Sequence, residues 1–215
     1  MNRRDELAQN LESVQSKITN SNVTLIVVAK TYPVEDVEVL HSLGVENFGE
    51  NRSEEGLIKS AAVPATWHFQ GGIQSRKLRD IARWATVIHS LDKSDHLLKL
   101  DVVARSSIDI FLQLSLDKDP QRGGVGQDEL ATLADLVLAS AHLRLQGIMC
   151  VPPVDFAPTA AFKEISEIHQ NFQKSYPMAR YLSAGMSNDF EIAIDCGATH
   201  IRVGSSILGS RTARQ

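Results

Sequence analysis

The change of period along the chain constrains its fold more than any other feature. Short apolar runs alternate with stretches whose apolar residues recur at helical spacing. The runs are TLIVVAK (24–30), VENFGE (45–50), TWHFQ (66–70), TVIHSL (86–91), DIFLQLSL (109–116), LRLQGIM (143–149), RYLSAG (180–185) and THIRVG (199–204). Helix-like stretches lie between and after them, near 34–43, 52–60, 75–84, 93–104, 127–141, 157–174 and 189–196. An amphipathic helix precedes them over 3–19, with Leu7, Leu11, Val14 and Ile18 on one face. Apolar runs without polar alternation suit parallel strands covered on their faces. About eight such strands alternating with helices predict an α/β fold, a closed (β/α)8 TIM barrel. A doubly wound open sheet is the alternative, but no G-x-G-x-x-G follows the first run. With no long linker or compositional break, residues 1–215 are expected to form one domain, with 1–20 as a helix packed on the barrel.

The formal net charge of −4 argues against broad nucleic-acid binding, which leaves a basic footprint. No apolar run approaches the roughly 20 residues of a membrane span. The start, MNRRDELAQNLESVQSKI, is charged and helical rather than leader-like, so a cytoplasmic protein is expected. The two cysteines, Cys150 and Cys196, form neither a framework nor a metal spacing and are expected as buried free thiols. No His or acidic cluster has metal-ligand spacing, so no metal is expected.

A barrel gathers its chemistry where the strands end, on the C-terminal face. The first run ends in Lys30, the second leads to Asn51, the third carries His68, and the eighth carries Arg202. The seventh leads into SAGMSND (183–189) and the eighth into GSS (204–206). These two Gly/Ser-rich turns read either as helix caps, with Ser187 or Asn188 as an N-cap, or as phosphate sites, which barrels often form after strands seven and eight. Lys30 has four readings: reaching solvent, pairing with a carboxylate, contacting phosphate, or serving as an imine-forming amine. The last needs a neutral amine, which burial beside another cation such as Arg202 favours. His68 lies between Trp67 and Phe69 and therefore points to the opposite face from both. It is read as a hydrogen-bonded histidine inside the barrel or, more sharply, as a catalytic base. Gly123–Gly124 reads as a flexible turn or as a lid edge, and QSRK (74–77) places cations at a helix start, where the dipole does not favour them.

These residues carry a resemblance. VVAKTYPVEDVEVLHSLGVENFGENR, WHFQGGIQSRK, LRLQGIMCVP and LSAGMSNDFEIAIDCGATHIRVGSSILGSR look like the pyridoxal phosphate homeostasis family, from about Val23 to Arg211. The resemblance implies a single (β/α)8 barrel similar to the N-terminal domain of alanine racemase. It implies pyridoxal 5′-phosphate (PLP) held as an imine on Lys30 of A-K-T. It further implies phosphate contacts from Ser187, Gly204 and Ser205, with Arg202 facing the pyridine nitrogen. Asn51, His68 and Ser183 are implied beside the cofactor. The chain departs from the common pattern at Arg52, Arg76 and Arg122, where the family usually has an aromatic, an asparagine and a lysine.

The resemblance implies a PLP carrier that buffers the cofactor for apo-enzymes, as a monomer. The alternative is a PLP-dependent amino-acid racemase. An arginine at the pyridine nitrogen disfavours its protonation and weakens the electron sink, although racemases tolerate one. Alanine racemases also need a second domain and a tyrosine. Only twelve residues follow Val203, so no second domain is expected. Tyr32 is the one tyrosine near Lys30 and is read as packing rather than as a surrogate base. A third reading drops the cofactor and lets Lys30 form an imine with a sugar-phosphate carbonyl.

Overall fold

The structure is a computed structural model that describes residues 2–119 and 121–209. Ser210 and Arg211, which end the last of the resembling motifs, lie outside the described residues.

Eight parallel strands close into a barrel in sequence order, β8 pairing back onto β1. The strands are β1 Thr24–Val28, β2 Asn47–Glu50, β3 Thr66–Phe69, β4 Val87–Leu91, β5 Ile108–Leu114, β6 Leu143–Cys150, β7 Tyr181–Met186 and β8 His200–Val203. The helices are α1 Arg3–Gln15, α2 Val34–Ser42, α3 Ser53–Ala62, α4 Leu78–Ile81, α5 Ser94–Val103, α6 Leu130–Ala139, α7 Pro158–Ser175, α8 Phe190–Asp195 and α9 Ser205–Leu208. The (β/α)8 reading holds and the open sheet is excluded.

Two layers make the core. Outward-facing strand residues pack under the helices: Trp67 and Phe69 of β3 both meet Trp84 edge-on, with ring centroids 6.3 and 6.0 Å apart. The interior of the barrel is far more polar. His68, His89 and Ser183 are buried there beside Phe111 and Met149. Helix α1 buries Leu7, Leu11 and Val14, and its Arg3 donates to Asp36 of α2 and to the carbonyl of Leu208 in α9. It ends four residues before the periodicity suggested, since Ser16 and Lys17 lie in a turn.

Three further differences bear on the site. The first strand stops at Val28, so Lys30 sits in the turn beyond it. The helix expected over 75–84 is a single 3-10 turn, Ser75–Lys77, followed by four α-helical residues. A short helix, α9, follows β8, beyond the last of the helix-like stretches. Cys150 is buried as expected, whereas Cys196 is only half-buried.

Candidate functional site at the C-terminal rim

Lys30 leaves the barrel through a strained turn. Thr31, the next residue, has φ of 68°, a left-handed conformation that a β-branched side chain rarely adopts. Its N–H donates to Glu55 Oε2 at 2.8 Å. Beneath the turn, the buried Lys59 donates to the carbonyl of Ala29 at 2.8 Å, to Glu55 at 3.2 Å, and to the fully buried Glu50. Glu50 in turn accepts from the N–H of Asn51 at 3.1 Å. One ammonium group thus braces the turn carrying Lys30 against the strand end carrying Asn51. Burial pushes the Glu50 carboxyl above its ordinary value, and Lys59 acts against that shift.

On the opposite side of the mouth, the turns after β7 and β8 are tied together. Ser187 Oγ accepts from the N–H of Gly204 at 3.3 Å and of Ser206 at 3.5 Å. Neither Ser187 nor Asn188 caps α8; that position is held by Asp189, whose carboxylate accepts from the N–H of Met186 at 2.6 Å. Gly204 allows the close approach of β8 to β1, since a Cβ there would lie 3.1 Å from the carbonyl of Val28.

Arg202 joins the rim to the interior. Its guanidinium is buried and donates to Ser183 Oγ at 2.7 Å and to the carbonyl of Cys150 at 3.1 Å. The chain of hydrogen bonds continues inward. Ser183 Oγ lies 2.9 Å from His89 Nδ1, His89 Nε2 lies 2.8 Å from His68 Nδ1, and His68 Nε2 lies 3.0 Å from Asn47 Oδ1. One direction of donation satisfies every member. Arg202 donates to Ser183, Ser183 to His89, His89 through Nε2–H to His68, and His68 through Nε2–H to Asn47. Both histidines are then neutral. Burial drives their proton affinity down, to about 3 for His68 and well below the ordinary value for His89. Desolvation also lowers Arg202, to about 10, which leaves it charged at neutral pH.

Lys30, Asn51, Ser187, Arg202, Gly204 and Ser205 line one cavity of about 450 Å³ at the mouth of the barrel. Six of the eight residues singled out from the sequence therefore share one space. His68 and Ser183 do not line it; they lie beneath, as the supports of Arg202. Gln70, Met149 and Met186, not singled out from the sequence, also line it. The signal for Gln70 was its place at a strand end, the same signal that marked Lys30. His89 was also passed over, although a histidine inside an apolar run is as conspicuous as His68. The Tyr32 hydroxyl, considered as a base, donates to the carbonyl of Gly209. The described residues hold no group of three or more His, Cys, Asp or Glu arranged for a metal, and no helix long and apolar enough to cross a membrane.

Fold and rim together define an alanine racemase-type barrel, and the sequence family described as the alanine racemase N-terminal domain matches residues 3–212. A pyridoxal phosphate homeostasis protein of Corynebacterium glutamicum is 40% identical over 201 residues, 88% of this chain and 91% of that protein. The structure of PipY of Synechococcus elongatus solved without PLP superposes with a TM-score of 0.87 at 31% identity, covering 94% of this chain and 100% of that one. The structure of the same protein with PLP bound gives 0.84 at 30% identity over the same shares. The chain belongs to the pyridoxal phosphate homeostasis protein family.

Proposed function

We propose that this chain binds PLP in the rim cavity, covalently through Lys30, and serves as a carrier that buffers the cofactor for apo-enzymes. The observation that carries the reading is the convergence of Lys30, Arg202 and the two Ser/Gly turns on one cavity. When bound, PLP supplies an aldehyde that condenses with a primary amine with loss of water.

The residues present fit that group. The hydroxyls of Ser187 and Ser205 offer donors for a phosphate, and the N–H groups of Gly204 and Ser206 meet Ser187 Oγ only at 3.3 and 3.5 Å, long bonds that a phosphate oxygen would replace. The Nε2 of Gln70 is buried without a hydrogen-bond partner where Gln70 lines the same cavity, and a polar ligand would satisfy it. Arg202, held by Ser183 and Cys150, would present a positive charge to the ring nitrogen and so disfavour its protonation. The brace of Lys59, Glu50 and Glu55 holds the Lys30 turn in place.

An unprotonated ring nitrogen suits storage better than carbanion chemistry. Relatives named as homeostasis proteins rather than as enzymes support the carrier reading. The reading places the protein in the cytoplasm, as a monomer serving PLP-dependent apo-enzymes. The test mixes the loaded protein with single amino acids in heavy water, and separately with an apo-enzyme. A carrier restores apo-enzyme activity and leaves the α-hydrogen of the amino acid unexchanged. Deuterium incorporation over many turnovers would overturn the carrier in favour of a racemase.

A further inference from the structure

A second cavity, of about 240 Å³, adjoins the first and shares Asn51 with it. It lies between the start of α3 and the turn that leads into α4. Arg52, Arg76 and Lys77 line it, against one carboxylate, that of Glu54. Helix α3 is ten residues long and its N-cap residue, Arg52, makes no side-chain cap, so the positive end of its dipole lies at this region, where the Glu54 N–H meets Glu54's own carboxylate and the other first-turn amides have no side-chain cap.

The second, independent observation is Ser53. It lines the cavity, is only 5% exposed, and its Oγ has no hydrogen-bond partner. A buried hydroxyl left unsatisfied costs free energy that a ligand oxygen would recover. The carboxylates nearby are already engaged. Glu54 pairs with Lys77, while Glu55 pairs with Arg52 and Lys59 and accepts from Thr31. Arg76 hydrogen-bonds the side-chain carbonyl of Gln74, at 3.2 Å, and acts on Glu54 only from beyond ion-pair distance, with no carboxylate within that distance among the described residues. A cavity of this size is smaller than the roughly 300–1,000 Å³ that engulfs a drug-sized ligand, so it suits a single compact group.

We propose that this cavity is a second anion site, which takes the phosphate of a phosphate monoester, or free phosphate, beside the first. Ser53 Oγ and the α3 amides supply hydrogen bonds, and Arg76 supplies the uncommitted charge. The site is separate from the turns at Ser187 and Gly204, so it stands whether or not the first cavity holds PLP.

The test is an amide NMR titration of the full chain at constant ionic strength, with inorganic phosphate in one arm and glycerol 3-phosphate in the other. Saturable shifts at Ser53, Glu54, Arg76 and Lys77 are expected. Tighter binding of glycerol 3-phosphate identifies an organic monoester as the ligand, and equal binding identifies phosphate itself. Arg76→Gln is expected to weaken this curve about tenfold while leaving shifts at Gly204 and Ser206 unchanged. Ser53→Ala, which keeps every charge, is expected to weaken it without lowering the melting temperature. Lys163→Gln, an exposed change on α7, is expected to leave it unaltered. Shifts confined to residues 187–206, or a response at 53–77 that survives both Arg76→Gln and Ser53→Ala, would overturn the proposal.

Discussion

At the scale of single residues, Arg202 shows how a charge is kept inside a fold. A buried guanidinium needs its donors filled, and Ser183 and the carbonyl of Cys150 fill two of them. Ser183→Ala removes one acceptor and leaves both Arg202 Nη1 and His89 Nδ1 short of a partner. We expect a loss of about 1–3 kcal/mol in stability, read by urea denaturation, together with weaker PLP retention. Thr31 carries the reverse relation, a local cost at a site that needs a particular direction. Its left-handed turn, fastened by Glu55, sets where Lys30 emerges. The sequence marked Lys30 through the apolar run before it. It could not mark Thr31, because nothing in a threonine announces a positive φ.

At the scale of elements, helix α3 does more than cover β2 and β3. Lys59 reaches from it to Ala29 and Glu50, so the helix reports on both strand ends that carry cavity residues. Removing one partner of a buried ion pair strands the other, at a cost of about 3–5 kcal/mol. Lys59→Met is therefore expected to lower the urea midpoint strongly, and Glu50→Leu added to it to recover much of the loss. Gly56 sets how closely α3 approaches Trp84, since a Cβ there would fall 2.2 Å from the indole ring. Gly56→Ala should cost about 1–3 kcal/mol by overpacking, measured in the same way. Existence and order of the strands were legible because continuous apolar runs have few other uses. The collapse of the 75–84 helix into one 3-10 turn and a short α-turn was not. Its residues keep helical spacing, but the chain must bend there to bring Arg76 and Lys77 to the rim. The Lys59 brace was equally hidden, because a lysine on an amphipathic helix reads as solvent-facing until the tertiary partners are known.

At the scale of the whole molecule, the barrel encloses neutral histidines. His68 is held down to about 3 and His200 to about 4 by burial, with His89 also well below 6.5. The folded state refuses protons that the unfolded chain accepts below about pH 6.5. The stability these groups contribute is full above that pH and is lost progressively as pH falls towards their folded values. The urea midpoint should therefore decline already between pH 6.5 and 5, before most carboxylates titrate, and His68→Asn should flatten that decline. The same interior supports Arg202, so the polarity of the core and the chemistry of the rim are parts of one arrangement. Whether Lys30 holds the cofactor is read most simply by borohydride reduction of the PLP-loaded protein followed by peptide mass mapping. One phosphopyridoxyl adduct is expected, on Lys30 and absent from Lys30→Ala. An adduct on another lysine, or an unmodified Lys30 in protein that retains PLP, would contradict it.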